Sequence, residues 1–339
     1  MKYHEMYLML TELCPNRCEY CYIKDRANPK TISMETVKNV ITKHDPNRII
    51  LFGGEPLADF RRYSEVVTTY YGTRKLQVVT STSANFKAFL NFNKIFPLDE
   101  VQISWDGFNK NRLNAGKKDT SYATFDNIEY AIKRGLKFDI KAVISNNNIK
   151  QITELHTIFK QLKPYGVSGQ FVIAHRDLYT ESFYTGLKEN LIKTFDLDKM
   201  YTDHLNKIIA YLNQDKSYSS CDGGKYVVID PDGRESCCTA LSQEKNLVIT
   251  SDEIQKPSLD PDCKDCKYSY LCDGGCRYER YNAFGADWQK HKLESTCMMM
   301  KIYDETISEW LQSLKPAETK KLFEIIKSYK SYLRGYYSC

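Results

Sequence analysis

The sequence predicts an α/β protein in which six parallel strands alternate with helices, followed by a small cysteine-rich domain and two terminal helices. Three observations carry that expectation. Runs such as Arg48–Phe52 ("RIILF") and Phe138–Ile144 ("FDIKAVI") read as apolar on both faces, which suits strands covered by helices. Amphipathic stretches of helical length fill the gaps between such runs. Twelve cysteines fall into an early and a late group, with none from residue 22 to residue 220.

The strand candidates are Glu5–Thr11, Arg48–Phe52, Lys75–Thr80, Glu100–Trp105, Phe138–Ser145 and Val167–Ala174. Ser33 is placed to cap a helix opening at Met34, since its hydroxyl can accept from a first-turn amide. Residues 121–135 give another helix, with Phe125, Ile128, Ala131 and Ile132 at helical spacing and Gly135 as stop. Further helices are expected over Phe60–Tyr71, Asn85–Phe92, Ile152–Leu162 and Leu187–Asn213. This alternation gives a parallel (β/α)6 arrangement, either an open partial barrel or a doubly wound sheet. After Asp215 helical periodicity fades, and Asp230-Pro231-Asp232-Gly233 signals a hairpin. From about Lys301 two final helices are expected, with Pro316 at the first position of the second. The expected organisation is residues 1–215, 216–300 and 301–339.

Composition narrows the function. Hydrophobic residues make up 42% and charged residues 27%, and no segment approaches the roughly 18 uninterrupted apolar residues of a membrane span. The start lacks the basic, apolar and small-residue succession of a secretory signal, so a cytoplasmic location is expected. A net charge of +5 without a long basic run does not point to nucleic acid. In a chain without export signals, clustered cysteines read as metal or redox ligands rather than disulfides.

Cys14-Pro-Asn-Arg-Cys18-Glu-Tyr20-Cys21 follows the first strand, at the carboxyl edge where α/β proteins place their chemistry. One loop with these spacings can supply three corners of a four-iron cubane and leave the fourth iron open. A three-cysteine zinc site completed by a histidine competes on spacing alone. Gly53-Gly54-Glu55-Pro56 follows the second strand, so its glycines permit close backbone approach and its carboxylate lies at the same sheet edge.

Together these two motifs resemble the radical S-adenosylmethionine (radical SAM) enzymes. The resemblance implies a partial (β/α)6 radical SAM barrel and a [4Fe–4S] cluster on Cys14, Cys18 and Cys21, whose open iron is chelated by S-adenosylmethionine. It also implies a cofactor site including Tyr20, Gly53, Gly54, Glu55 and Pro56, with Glu55 facing the methionyl amine. "VQISWDGFNKNR" is similar to the family's fourth-strand segment through Ser104, Asp106, Gly107 and Arg112, which adds Ser104 to that site; Trp105 replaces the usual aliphatic residue. The third strand ends in Thr80-Ser81-Thr82-Ser83 where the family usually has Thr-Asn-Gly, so no ribose contact is assigned there.

The late group reads Cys263-x2-Cys266-x5-Cys272-x3-Cys276, preceded by Cys221, Cys237 and Cys238 and followed by Cys297. Two zinc ions would fit such spacings as well as iron does. The arrangement resembles the SPASM domain, the seven-cysteine extension of radical SAM proteins that carries two auxiliary iron–sulfur clusters. The resemblance implies three [4Fe–4S] clusters in all, with Cys221, Cys238 and Cys276 on the first auxiliary cluster and Cys263, Cys266, Cys272 and Cys297 on the second. Cys237 either completes the first auxiliary cluster or packs as a small hydrophobe beside an open iron, and Cys339 is a terminal thiol. In the related anaerobic sulfatase-maturating enzymes a catalytic aspartate follows the Gly-x4-Cys cysteine. Thr239 stands there, and a hydroxyl is no substitute for a carboxylate base.

The resemblance thus implies an oxidoreductase or peptide maturase that cleaves S-adenosylmethionine and abstracts hydrogen from a peptide or protein side chain, as in the crosslinking or oxidation of ribosomally made peptides (RiPPs). Its electrons would come from an external donor of flavodoxin or ferredoxin type. No catalytic base is identified. The rival enzyme reading is a dehydrogenase of a small alcohol or sugar-like metabolite. The rival without chemistry, an electron-transfer or zinc scaffold protein, leaves Gly53–Pro56 without a task.

Overall fold

Strand β1 (Glu5–Thr11) owes its central place to an apolar run that no single face could cover: Met6, Leu8, Met9 and Leu10 are all fully buried. The computed structural model describes residues 4–23, 27–174, 179–214, 226–244, 260–272 and 274–337. β1 pairs in parallel with β2 (Arg48–Gly53) on one side and β7 (Tyr226–Ile229) on the other. Beyond β2 follow β3 (Lys75–Thr80), β4 (Glu100–Ser104), β5 (Phe138–Ile144) and β6 (Val167–Ile173), all parallel. The short β8 (Glu235–Ser236) runs antiparallel to β7. The order β6-β5-β4-β3-β2-β1-β7-β8 is unclosed, with β6 and β8 at its edges.

Helices α1 (Met34–His44), α2 (Phe60–Tyr70), α3 (Phe86–Asn93) and α4 (Ser121–Lys133) follow β1 to β4 in turn. The expected Ser33 cap is present, with the Thr36 amide donating to Ser33 Oγ at 3.0 Å. All six predicted strands form, each within one residue of its expected ends. β5 corrects the expectation of a strand apolar on both faces: Phe138, Ile140, Ala142 and Ile144 are buried, whereas Asp139, Lys141 and Val143 alternate onto the other, half-buried face. The β7–β8 hairpin was legible only through its turn. There Asp230 Oδ1 accepts from the Asp232 and Arg234 amides at 3.0 and 2.8 Å, and Gly233 supplies the positive φ of 82°.

The chain divides into two compact units, one of residues 1–148, 161–174 and 222–255, the other of 149–160, 175–221 and 256–339. The first holds the whole sheet.

In the second unit the single helix expected over Leu187–Asn213 is two: α5 (Glu181–Leu191), which continues into a 3-10 turn over Ile192–Thr194, and α6 (Thr202–Asn213). The break falls where Asp196 folds its carboxylate onto the Asp198 amide at 2.8 Å, a local turn that competes with helix. The helix expected from about Lys301 begins earlier, at Glu294, because Thr296, Met299, Met300 and Tyr303 give it a buried stripe; it runs to Ser313 and carries Cys297 in its first turn. The last helix, Pro316–Tyr337, begins at the expected proline. Among the described residues no helix is long and apolar enough to cross a membrane.

Candidate active site

The carboxyl ends of β1 to β5 hold the first cysteine loop in place by backbone and buried polar contacts. The Gly54 amide donates to Thr11 O and the Glu55 amide to Leu13 O, both at 2.7 Å, so the Gly-Gly-Glu turn is strapped across the chain immediately before Cys14. Both glycines are required by contact. A Cβ on Gly53 would lie 2.3 Å from Thr11 O, and one on Gly54 would lie 2.4 Å from Leu13 O and 2.6 Å from Glu12 O. The loop is tied again downstream, where the Arg17 amide donates to Leu113 O at 2.5 Å, the Glu19 amide to Asn111 O at 3.3 Å and Asn16 Nδ2 to Ser81 Oγ at 3.2 Å. Cys14, Cys18 and Cys21 are all half-buried, with the Cys21 amide turned onto Cys18 O at 3.2 Å.

Glu55 is completely buried. Its Oε1 accepts from the Leu57 amide at 3.1 Å and Thr80 Oγ1 at 2.7 Å, and its Oε2 from the Ser81 amide at 2.8 Å and Ser81 Oγ at 2.6 Å. Burial raises its pKa, and these donors oppose the rise. Glu55 also caps a 3-10 turn whose first residue is the buried Pro56. Thus Thr80 and Ser81, the segment where the family pattern fails, join the end of β3 to the Gly-Gly-Glu-Pro turn. Ser83 Oγ is a longer fifth donor to Oε2 at 3.4 Å, so three of the five donors are hydroxyls, whose hydrogens can rotate.

Tyr20 reaches across to the end of β4. Its hydroxyl donates to Asp106 Oδ2, which also accepts from Arg112 Nε at 2.9 Å, while Asp106 Oδ1 accepts from the Val143 amide at 2.8 Å. Asp106 and Arg112 are 1% and 8% exposed, so this is a buried ion pair. Burial works against the Arg112 charge, but Asp106 holds its pKa above the ordinary value; burial likewise pushes Tyr20 well up. Arg112 lies 5.6 Å from the Tyr20 ring centre and directs Nη1 at Cys18 Sγ at 3.9 Å. Ser104, the last residue of β4, is half-buried and in register with Lys141 of β5. Asp106 and Arg112 were visible as a motif, but nothing in the spacing revealed that they brace Tyr20 and the cysteine loop.

Cys263, Cys266, Cys272 and Cys297 of the late group lie in the second unit, all half-buried. Burial pushes the Cys272 thiol up to about 12, with smaller contributions in the same direction from Cys297, Cys263 and Cys266. Among the described residues no group of three or more His, Cys, Asp or Glu side chains is placed to hold a metal ion, so a four-thiolate centre there remains an expectation of the sequence. Their loops are built locally: the Cys272 amide donates to Tyr268 O at 3.2 Å, the Gly275 amide to Cys272 O at 2.9 Å, and Cys276 caps the helix Arg277–Phe284. Cys237, 4% exposed, and the half-buried Cys238 follow β8 in the first unit. Cys221 lies outside the described residues.

Comparison with known proteins follows this geometry. The model of the radical SAM superfamily matches residues 8–157. The chain is 26% identical over 321 residues to a cysteine-type anaerobic sulfatase-maturating enzyme of Clostridium novyi (strain NT), covering 78% of this chain and 85% of that enzyme. Its fold is similar to that of native anSMEcpe with bound AdoMet and Cp18Cys peptide, with a TM-score of 0.66 at 18% identity over 96% of this chain and 99% of that one. It is also similar to Streptococcus suis SuiB bound to precursor peptide SuiA, with a TM-score of 0.58 at 12% identity over 87% of this chain and 76% of that one.

Proposed function

Residues 8–157 are a radical SAM domain, and on that premise we propose that the chain is a peptide- or protein-modifying maturase whose late cysteines hold auxiliary iron–sulfur clusters. The observation that carries the reading is the double strap on the cysteine loop, Gly54 to Thr11 and Glu55 to Leu13, which joins the two family motifs into one site. Cys14, Cys18 and Cys21 would hold a [4Fe–4S] cluster, which with S-adenosylmethionine bound supplies methionine and a 5′-deoxyadenosyl radical. Around it this chain's residues have definable tasks. Gly53 and Gly54 bring backbone close to the cofactor's amino acid end, Glu55 offers a carboxylate to its ammonium, and Ser104 and Tyr20 bound the same edge. The buried Asp106–Arg112 pair keeps Tyr20 in place and directs the Arg112 guanidinium at Cys18.

Peptide substrates are supported by two similar folds bound to peptides. Thr239 in place of an aspartate argues for chemistry other than formylglycine formation. The substrate radical would resolve by crosslinking or by losing an electron to an auxiliary cluster, and an external protein of flavodoxin or ferredoxin type would supply the reducing electron.

Anaerobically prepared protein is expected to hold about twelve irons in three clusters. Replacing Cys14, Cys18 and Cys21 together by Ala should remove about a third of them. Stoichiometric zinc without iron after anaerobic reconstitution would refute the reading.

A further inference from the structure

Thr82 stands in a backbone conformation that its own side chain opposes. Its φ of 58° lies in the left-handed region, where a β-branched residue is an outlier, and the residue is only 4% exposed. Strain of this kind persists only where the surroundings over-determine it. Helix α4 supplies them: Asn127 Nδ2 donates to Thr82 O at 3.2 Å and to Thr82 Oγ1 at 3.1 Å. From the other side the Thr82 amide donates to Thr80 Oγ1 at 2.9 Å.

The strained residue lies beside the support of the candidate site. Thr80 Oγ1, which accepts from the Thr82 amide, gives its own hydrogen to Glu55 Oε1. Ser81 reaches Glu55 Oε2 through both its amide and its hydroxyl, and that hydroxyl also accepts from Asn16 Nδ2 of the cysteine loop. Ser81 O in turn accepts from Thr124 Oγ1, also on α4, at 3.5 Å. Relaxation of Thr82 to a negative φ would open the turn that aims Thr80 and Ser81 at Glu55.

We propose that Asn127 is a positioning residue for the cofactor site: it clamps Thr82 in the left-handed conformation and so keeps Thr80 and Ser81 on the Glu55 carboxylate. The inference rests on reading Glu55 as the partner of the S-adenosylmethionine ammonium. A side-chain amide suits the task because its NH2 group has two hydrogens, one for the Thr82 carbonyl and one for the hydroxyl. Without the clamp Glu55 would keep its burial and lose donors that offset it, so the carboxylate would take up a proton more readily and attract an ammonium less.

The test is a double-mutant cycle read in two ways, by anaerobic chemical unfolding and by calorimetric binding of S-adenosylmethionine to the iron-replete protein. Asn127→Ala, and Asn127→Asp, whose carboxylate cannot donate, should each weaken cofactor binding about tenfold, the scale of one charge-assisted hydrogen bond, and destabilise the fold. Thr82→Gly removes the drive to relax, since glycine adopts positive φ without a clamp. In that background Asn127→Ala should weaken binding by less than about threefold and cost less stability than it does beside Thr82. A merely structural Asn127 predicts lower stability with unchanged cofactor affinity, and a role unconnected with Thr82 predicts the same loss of affinity in both backgrounds. Either result overturns the proposal. Should Asn127→Ala fail to fold, recovery of folded, cofactor-binding protein in the double variant supports the clamp, and failure of the double variant too overturns it. Iron-replete wild-type protein that binds no S-adenosylmethionine would instead refute the reading of Glu55; the unfolding arm, which needs no ligand, then decides the clamp by itself.

Discussion

Asp106→Ala is expected to cost about 3–5 kcal/mol of stability, the range found when one partner of a buried ion pair is removed. The reason is local. Arg112 would remain 8% exposed with its charge uncompensated, and the Val143 amide, now 2.8 Å from Asp106 Oδ1, would lose its acceptor. Tyr20 would lose its hydroxyl's partner and with it the brace on the loop between Cys18 and Cys21. Chemical unfolding under anaerobic conditions measures the loss. Asp106→Asn retains the shape without the charge and should fall between wild type and Ala. A cost for Asp106→Ala below about 1 kcal/mol, the scale of an exposed ion pair, would show that the pair is not the brace described.

Gly54→Ala should be more damaging to the cluster than to the fold. The added methyl would meet Leu13 O at 2.4 Å and Glu12 O at 2.6 Å, both backbone atoms that no rotamer change can relieve. The strap must open, and with it the 2.7 Å bonds from Gly54 to Thr11 and from Glu55 to Leu13. The expected outcome is loss of about a third of the iron, the share of one cluster among three, together with loss of S-adenosylmethionine binding by calorimetry. Gly135→Ala is the control: φ is positive there, at 74°, as it is not at Gly54, and nothing lies within 4 Å of an added methyl. It should cost only about 1 kcal/mol of backbone strain and leave the iron in place. Equal iron loss in both variants would mean that contact with the cysteine loop is not what makes Gly54→Ala damaging.

How much of this was legible in the sequence varies with the distance over which each feature is decided. The six strands were legible because apolar runs such as Ile49–Phe52 declare themselves within a few residues, and the Ser33 and Pro316 helix starts because capping is local chemistry. β7 and β8 escaped because strands of four and two residues carry no period, and their pairing depends on β1 more than two hundred positions away. The helix break near Asp196 was missed because apolar spacing continues through it while a side chain turns back on the main chain.

At the candidate site the sequence announced which residue types carry the chemistry, from Cys14 to Cys21 and from Gly53 to Pro56. It did not announce their support. Thr80 and Ser81 looked like a departure from the family pattern, yet they hold the Glu55 carboxylate; Arg112 looked like a distant motif residue, yet its guanidinium lies on Cys18. Such contacts join separate βα units, and only the folded sheet brings them together. Asn127 is the extreme case, since a polar residue on an amphipathic helix reads as solvent-facing until its bonds to Thr82 are seen.

The most direct test of the central claim is product analysis after anaerobic incubation of the reconstituted protein with S-adenosylmethionine and dithionite. The account predicts 5′-deoxyadenosine and methionine in equal amounts, formed by wild type and abolished when Cys14, Cys18 and Cys21 are replaced by Ala. Intact S-adenosylmethionine after incubation with protein that carries its full iron would contradict it.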